Sequence, residues 1–271
     1  MNRISCRRPG WFRYSSSAPP WVLRSLADEF LTVPTDRGAN PGLKVSSLVA
    51  GMVAGADSID DMAILRHGGM RTVFDFPYAP STLGSFLRTF TFGHVRQLDA
   101  VACRVLAGLA SATPVLDGID GDVLIDVDDT IIEVHGYAKQ GAGFGYSGVR
   151  GINALISTIT VNDRAPVIAA SRLRKGSTGS PKGASRLVAD TLATLRRARS
   201  VGAGGRVLLR ADSAFYAQSV VHAAQRAGAQ VSITLRQDKR GVFQVRVNAF
   251  DNRVMPVRLP SRCLRPRPGW W

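Results

Sequence analysis

The residues of this sequence that are best suited to chemistry are the acids that close an apolar run. Leu124–Thr130 reads LIDVDDT. Alternation of apolar and polar residues predicts a strand over Gly121–Val134, in which Asp126 and Asp128 share one face. Two carboxylates on one face of an apolar strand are costly when buried, unless a positive charge offsets them. A divalent metal ion is the usual offset, so the pattern predicts a metal site.

The opposite face of this strand is predicted to enter the core, because it carries Val123, Ile125 and Val127. A competing interpretation is that the strand reaches solvent at the acids. Asp129-Thr130 would then begin a turn, and the acids would need no metal.

A second acidic position follows a later predicted strand. Arg206–Arg210 reads RVLLR and leads to Asp212. When this strand lies beside the first, the carboxylates of Asp128 and Asp212 meet at one edge of the sheet. Oxygen ligands of this kind suit Mg²⁺, with Mn²⁺ as a second candidate. A pair of such ions binds both the attacking and the leaving oxygen when a phosphodiester is cleaved. Alternatively, Asp212 caps a helix that starts at Ser213–Tyr216.

The elements that must position these acids form a mixed α/β pattern. Further strands are predicted over Ile152–Val161, Pro166–Arg172 and Gln230–Leu235, and helices over Ala184–Arg199 and Ala217–Arg226. The order β-β-β-α-β-α-β predicts a mixed sheet with helices on its faces.

The rest of the chain differs in character from this α/β part. Residues 1–20 are basic and rich in Ser and Pro, and we expect them to be disordered. Residues 21–113 carry helical patterns and are interpreted as an accessory or DNA-binding region. The α/β part occupies 114–240. A last strand is expected at Val242–Val247, but 241–271 otherwise forms a basic tail, and Pro256–Trp271 fits no strand or helix.

Composition favours a polyanionic partner. Lys and Arg exceed Asp and Glu by 35 − 20 = 15, and this favours nucleic acid first and an acidic membrane second. No run approaches the length of a membrane span, which predicts a soluble cytoplasmic protein. The cation cluster predicted to contact phosphates surrounds the loop Gly176–Gly183, which is expected to be flexible. It consists of Arg172, Arg174, Lys175, Lys182 and Arg186, and an ordinary solvated loop is the alternative.

A Gly- and Tyr-rich segment, Gly136–Gly151, separates the first two strands. Its aromatic residues could stack on flipped or frayed bases near a cleavage point. Alternatively, they pack the loop against the sheet, and this interpretation is the favoured one. The aromatic residues concerned are Tyr137, Phe144 and Tyr146.

Four segments together resemble the catalytic domain of DDE-type insertion-sequence transposases, whose fold is ribonuclease-H-like. They read DVDDT, GYAKQGAGFGYSGVRG, LRKGS and LLRADSAFY. Two upstream segments, GADSIDDMAILRHGGM and PSTLGSFLRTFTFGHVRQLDA, look like the helical region that precedes this domain in one subgroup. The resemblance covers about Leu23 to Lys239.

The resemblance implies metal-dependent cleavage at transposon ends and transfer of the freed strand into target DNA. It implies two Mg²⁺ ions, inverted-repeat and target DNA as partners, a homodimer in the intact protein, and a place beside the bacterial nucleoid. Carried over to this sequence, the first catalytic acid is Asp128, with Asp126 in reserve, and the second is Asp212.

The third acid of the family is missing from the expected place. The glutamates of the sequence are Glu29 and Glu133, and both precede Asp212. Beyond Asp212 the carboxylates are Asp238 and Asp251, neither on a convincing helix. We therefore expect a truncated and catalytically inactive transposase.

Two other functions compete with this interpretation. DVDDT also matches the strand end of haloacid-dehalogenase-like phosphatases, in which Asp126 would be the nucleophile and Asp128 the general acid. Against it, more than a hundred residues precede the motif, and a parallel doubly wound sheet is not predicted. The second competitor is a DNA-binding transposase remnant without catalysis.

Overall fold

The computed structural model describes residues 21–34, 36–74, 77–136, 138–162, 164–235, 243–247 and 254–257. The chain divides into two compact units between Pro114 and Val115. Within the described residues, no helix combines the length and hydropathy that a bilayer span requires.

The first unit is helical. Its helices are α1 Trp21–Phe30, α2 Pro41–Val53, α3 Pro80–Arg88 and α4 Phe92–Ala112. Short 3-10 helices occupy Asp36–Gly38, Asp60–Arg66 and Gly68–Thr72. The helical pattern over residues 21–113 is confirmed. The sequence also predicts a helix that ends at Arg66 and has acids in its first turn; the acids are there, but this helix is a 3-10 helix.

The core of this unit forms where α1, α2, α3 and α4 meet. Leu83 and Phe86 of α3 are fully buried there, together with Ala27 of α1 and Val101 of α4. The almost wholly apolar stretch Leu43–Ala56 predicts a buried helix, and α2 is buried along one side, where Val45 and Leu48 enter the core. Met52 is 63% exposed at its end, because the helix covers the core with one side only.

The second unit is the α/β part. Its strands are β1 Val123–Glu133, β2 Gly143–Phe144, β3 Arg150–Val161, β4 Val167–Lys175, β5 Val207–Ala211, β6 Gln230–Leu235, β7 Phe243–Val247 and β8 Val254–Val257. Its helices are α5 Ala184–Ala198 and α6 Gln218–Arg226.

The strands form one mixed sheet. Across the sheet the order of the long strands is β4-β3-β1-β5-β6, in which β3 is antiparallel to β1 and β4, and β5 and β6 run parallel to β1. When these five strands are numbered by their order along the chain, their order across the sheet is third, second, first, fourth and fifth. The predicted ribonuclease-H-like α/β class is therefore confirmed.

Helices α5 and α6 contact each other and pack on one face of the sheet. The α5 residues at this contact are buried, as their helical spacing predicts: Leu187, Val188, Thr191, Leu192 and Leu195. On the sheet, Ile125, Leu155 and Leu209 are fully buried on the same side. We call this side the helix face. The opposite side carries Asp126 and Asp128, and we call it the carboxylate face.

Two strands lie within residues 241–271, the segment interpreted from its composition as a basic tail. β7 pairs antiparallel with β6, as the prediction at Val242–Val247 anticipates. β8 pairs with β7 and includes Pro256, where the sequence predicts no strand. Asp238 and Asp251 lie outside the described residues.

Candidate functional site

The acidic strand alternates as its sequence indicates. Val123, Ile125 and Val127 are buried on the helix face, while Asp128 is exposed on the other face. The competing interpretation is correct that the strand reaches solvent at Asp128, but β1 continues to Glu133, so Asp129-Thr130 does not start a turn.

The register between β1 and β5 brings the two predicted acids together. In these parallel strands Asp126 lies beside Arg210 and Val127 beside Ala211. The same register, continued by one residue, places Asp128 beside Asp212, whose backbone is still extended with φ −78° and ψ 178°. Adjacent strands lie about 4.8 Å apart. The two carboxylates therefore leave neighbouring strands on the same face of the sheet.

Each of these carboxylates is oriented by one backbone amide. The Asp129 N–H donates to Oδ1 of Asp128 at 2.8 Å, and the Ala214 N–H donates to Oδ1 of Asp212 at 2.9 Å. Asp212 thus caps the 3-10 turn Ser213–Phe215, so the capping interpretation is confirmed, while the metal-binding role stays a prediction. Oδ2 of both residues has no hydrogen-bond donor among the described residues, which leaves an oxygen of each open to a ligand.

Asp126, the reserve acid, is already occupied. Arg210 donates from Nε to Oδ1 of Asp126 at 2.8 Å and from an Nη to Oδ2 at 2.9 Å. This bidentate pair raises the pKa of the Arg210 guanidinium, chiefly through the hydrogen bond to Asp126. Asp126 is therefore neutralised by a neighbour, whereas Asp128 is not.

A depression of about 170 Å³ opens beside Asp126 and Asp128, on the β3 side of β1, and Asp212 is not part of its lining. Its lining consists of Asp126, Asp128, Asp129, Thr130, Ile156 and Thr158. Hard carboxylate oxygens suit Mg²⁺, which retains several waters and needs only one or two protein carboxylates. The residues present fit such an ion. Within the described part of the chain, however, no three His, Cys, Asp or Glu side chains form a metal-binding group.

Asp129 points to the helix face, where it anchors residues of β3 and of the loop after β4. Arg174 donates to its Oδ2 at 2.7 Å, as does Nδ2 of Asn153, and Ser180 donates to Oδ1 at 3.2 Å. The Arg174 side chain is 9% exposed, and burial lowers its pKa against the opposing effect of Asp129.

Arg174 also fixes the loop Gly176–Gly183. One of its Nη atoms donates to the backbone carbonyls of Ser180 at 2.9 Å and Lys182 at 2.6 Å. Composition predicts a flexible loop, but the loop is held to β1 by this arginine.

The five predicted phosphate-contacting cations are divided between the two faces of the sheet. Arg172 and Arg174 lie opposite Leu155 and Asn153, on the helix face, where Arg172 pairs with Asp190 at 2.5 Å. We correct the prediction for these two, because their guanidinium groups are engaged with protein acceptors. The remaining three, which are exposed, are Lys175, Lys182 and Arg186.

Lys175 is an exposed cation that the register places on the carboxylate face. It lies opposite Ile152, which in turn lies opposite Ile132 on the carboxylate face. Arg186 is on α5 and forms a weak pair with Asp190 at 3.4 Å. Lys175 is therefore a cation on the same face as Asp128, two strands away and about 13 Å further along the strand direction.

The aromatic residues of the Gly-rich segment do not pack against the sheet. Phe144 is 66% exposed and Tyr146 is 103% exposed, so the packing interpretation is wrong for both. Tyr137 lies outside the described residues.

The roles of two residues of the site are not predicted from the sequence. Asp129 and Arg210 neither bind a metal nor face DNA in our prediction, yet they decide which acid is free and where the loop lies. Strand alternation is the signal that could have indicated both roles. Asp129 falls on the apolar side of DVDDT, and Arg210 stands two residues before Asp212 just as Asp126 stands two residues before Asp128.

The topology counts against the phosphatase interpretation. That fold requires a parallel doubly wound sheet with the motif at the end of its first strand. Here β1 pairs antiparallel with β3 along its whole length, and the proposed nucleophile Asp126 is bound by Arg210.

Comparisons with known proteins leave the residues as the basis for any function. No family model and no curated protein matches the chain. Among solved structures it is similar to a piggyBac transposase in a synaptic complex with hairpin DNA, studied by cryo-EM, with a TM-score of 0.36 and 12% identity. The match covers 83% of this chain and 48% of that chain, so this chain spans about half the length of that transposase. A likeness of this size carries no argument about function.

Proposed function

We propose that this protein is a DNA-binding protein of the DDE transposase type, in which Asp128 and Asp212 hold Mg²⁺ against a phosphodiester. The observation that carries the proposal is the strand register, which sets these acids side by side on an open face of the sheet. The sequence motifs around them support the same assignment.

Each residue of the site has a role that follows from its position. Asp128 and Asp212 would each offer the carboxylate oxygen that no described backbone amide engages. The ion, when bound, supplies positive charge to a phosphate oxygen. Arg210 keeps Asp126 out of this set, and Lys175 neutralises a neighbouring phosphate without reading bases. Transposon ends and target DNA are the proposed substrates, and homodimer formation stays a prediction.

We also propose that the chain does not cleave DNA. Glu133 lies on the helix face of β1, opposite to the face of Asp128, and Glu29 belongs to α1 of the other unit. With the two carboxylates that the described residues provide, the site would hold one ion loosely and would lack a third carboxylate to fix a second. Cleavage chemistry with paired ions needs both.

Binding of a labelled duplex, measured by fluorescence anisotropy with Mg²⁺ and with EDTA, tests the proposal. We expect Mg²⁺ to strengthen binding of the wild-type protein, and Asp128→Asn or Asp212→Asn to abolish that gain. Asp117→Asn is the matched control, since Asp117 is an exposed acid of the same unit that pairs with Arg164. Absence of DNA binding by the wild-type protein would overturn the proposal.

The same samples, incubated with Mg²⁺ or Mn²⁺ and analysed on denaturing gels, test the absence of cleavage. We expect no product above background. Cleavage that disappears on Asp128→Ala would show that the chain is active. Inverted-repeat DNA compared with scrambled DNA separates end recognition from electrostatic binding alone.

A further inference from the structure

A hairpin follows β1 and consists of β2, the turn after it and the first residues of β3. Backbone contacts hold this hairpin in place, and its aromatic side chains do not. β2 pairs with the first residues of β3, and the Gly148 N–H donates to the Gly145 carbonyl at 3.1 Å to close the turn. A Cβ on Gly176 would overlap the carbonyl oxygens of Gly143 and Gly151. Glycines thus let three backbone segments touch, and the hairpin needs no aromatic anchor.

The large side chains of this hairpin are left in solvent. Phe144 and Tyr146 stand on either side of Gly145, and both are largely exposed. Val149 of the same hairpin and Ile132 of β1 are also exposed. A cluster of exposed apolar side chains on a rigid support marks an interaction site.

The register places two residues of this cluster, Phe144 and Ile132, on the same face as the acids. Phe144 lies opposite Arg150, whose neighbour two residues on is Ile152, and Ile152 lies opposite Ile132. Alternation then puts Phe144, Ile132 and Asp128 on the carboxylate face. From Asp128 to the level of Arg150 the sheet extends for about 20 Å, at about 3.3 Å per residue.

The surrounding charge selects the kind of partner. Lys139 and Lys175 are exposed at the base of the hairpin, and the chain carries a net charge of +15. Exposed aromatic rings beside cations that track a backbone are the features that bind single-stranded nucleic acid, because every base offers a face for stacking. We propose that Phe144 and Tyr146 form a stacking platform for unpaired bases at an opened DNA end. This inference rests on the proposed function.

Affinities of the full chain for two labelled DNA probes test the platform. One probe is a fully paired duplex, and the other is the same duplex with several unpaired bases at one end. We expect the wild-type protein to prefer the opened probe about tenfold. Phe144→Ala with Tyr146→Ala should remove that preference and leave the affinity for the paired duplex within about twofold.

Phe92→Ala is the matched control, because Phe92 is an exposed aromatic residue of the other unit, 76% exposed, and its loss should leave the preference intact. The fluorescence of 2-aminopurine in the unpaired segment gives a direct signal, since stacking on a ring quenches it and the double variant should restore it. Equal affinity of the wild-type protein for both probes would overturn the platform and leave the proposed function standing. Failure to bind either probe would overturn both.

Discussion

At the scale of single residues, the site depends on what the neighbouring strand places beside each acid. Asp126 and Asp128 are both aspartates, and both lie on the same face of β1. They differ because β5 sets Arg210 beside Asp126 and Asp212 beside Asp128. One acid is neutralised by a bidentate partner, and the other gains a second carboxylate as its neighbour.

Removal of Arg210 should therefore tighten metal binding. Arg210→Ala frees Asp126 to join the pair and deletes a positive charge close to the ion. A unit charge about 5 Å from a divalent ion contributes about 1.7 kcal/mol in water-like surroundings, which is roughly twentyfold in affinity. Mn²⁺ titration followed by electron paramagnetic resonance measures the change. Unchanged or weaker affinity would contradict the placement of the ion between Asp128 and Asp212.

The pair Asp129–Arg174 should be important for stability rather than for metal binding. Arg174→Ala leaves Asp129, whose side chain is 17% exposed, without its charged partner. Truncation of one member of a buried pair costs about 3–5 kcal/mol. Urea unfolding of the single variants and of the double variant with Asp129→Ala measures this, and we expect the double variant to lose less than the sum. A loss near zero for Arg174→Ala would show that the pair is not an anchor.

At the scale of elements, periodicity is sufficient to predict most of the second unit. The long strands and the helices from β1 to β6 agree with the sequence pattern within a few residues, because alternation and helical stripes are local properties of the sequence. The short β2 is not predicted. Its pairing depends on close approach of glycine backbones from distant segments, and no local pattern encodes that contact.

Two glycines of the loop after β4 should respond differently to the same substitution. Gly176→Ala forces a Cβ into carbonyl oxygens of Gly143 and Gly151, so we expect a loss of about 1–3 kcal/mol. Gly179 has open space around it, and Gly179→Ala should cost nothing. Thermal unfolding of both variants makes the comparison. Equal effects would contradict the close backbone packing of the hairpin.

At the scale of the whole molecule, the position of a charge should matter more than the net charge. The resemblance to a known fold is what suggests that β1 and β5 are neighbours. Local pattern does not encode the order of the strands or the register between β1 and β5, which arise from long-range pairing. For the same reason the sequence assigns Arg172 and Arg174 to DNA, although their face of the sheet is covered by α5. Cations on the carboxylate side of the molecule, such as Lys175, are the ones left to contact phosphate.

This difference predicts the salt dependence of DNA binding. Lys175→Gln with Lys182→Gln should lower the slope of log affinity against log salt by about 1.8, since each lost phosphate contact removes about 0.9. Arg196→Gln with Arg197→Gln removes two exposed charges from α5, and both double variants carry 15 − 2 = +13. The α5 variant should keep the wild-type slope. Identical slopes for the two variants would mean that binding follows net charge alone.

The account depends most on a divalent ion shared by Asp128 and Asp212. Mn²⁺ binding to the protein without DNA, followed by electron paramagnetic resonance, tests it most directly. We predict one weak site in the wild-type protein that Asp128→Asn and Asp212→Asn each abolish and Asp117→Asn leaves unchanged. Retention of the site in either of the first two variants would contradict a shared ion and, with it, the proposed function.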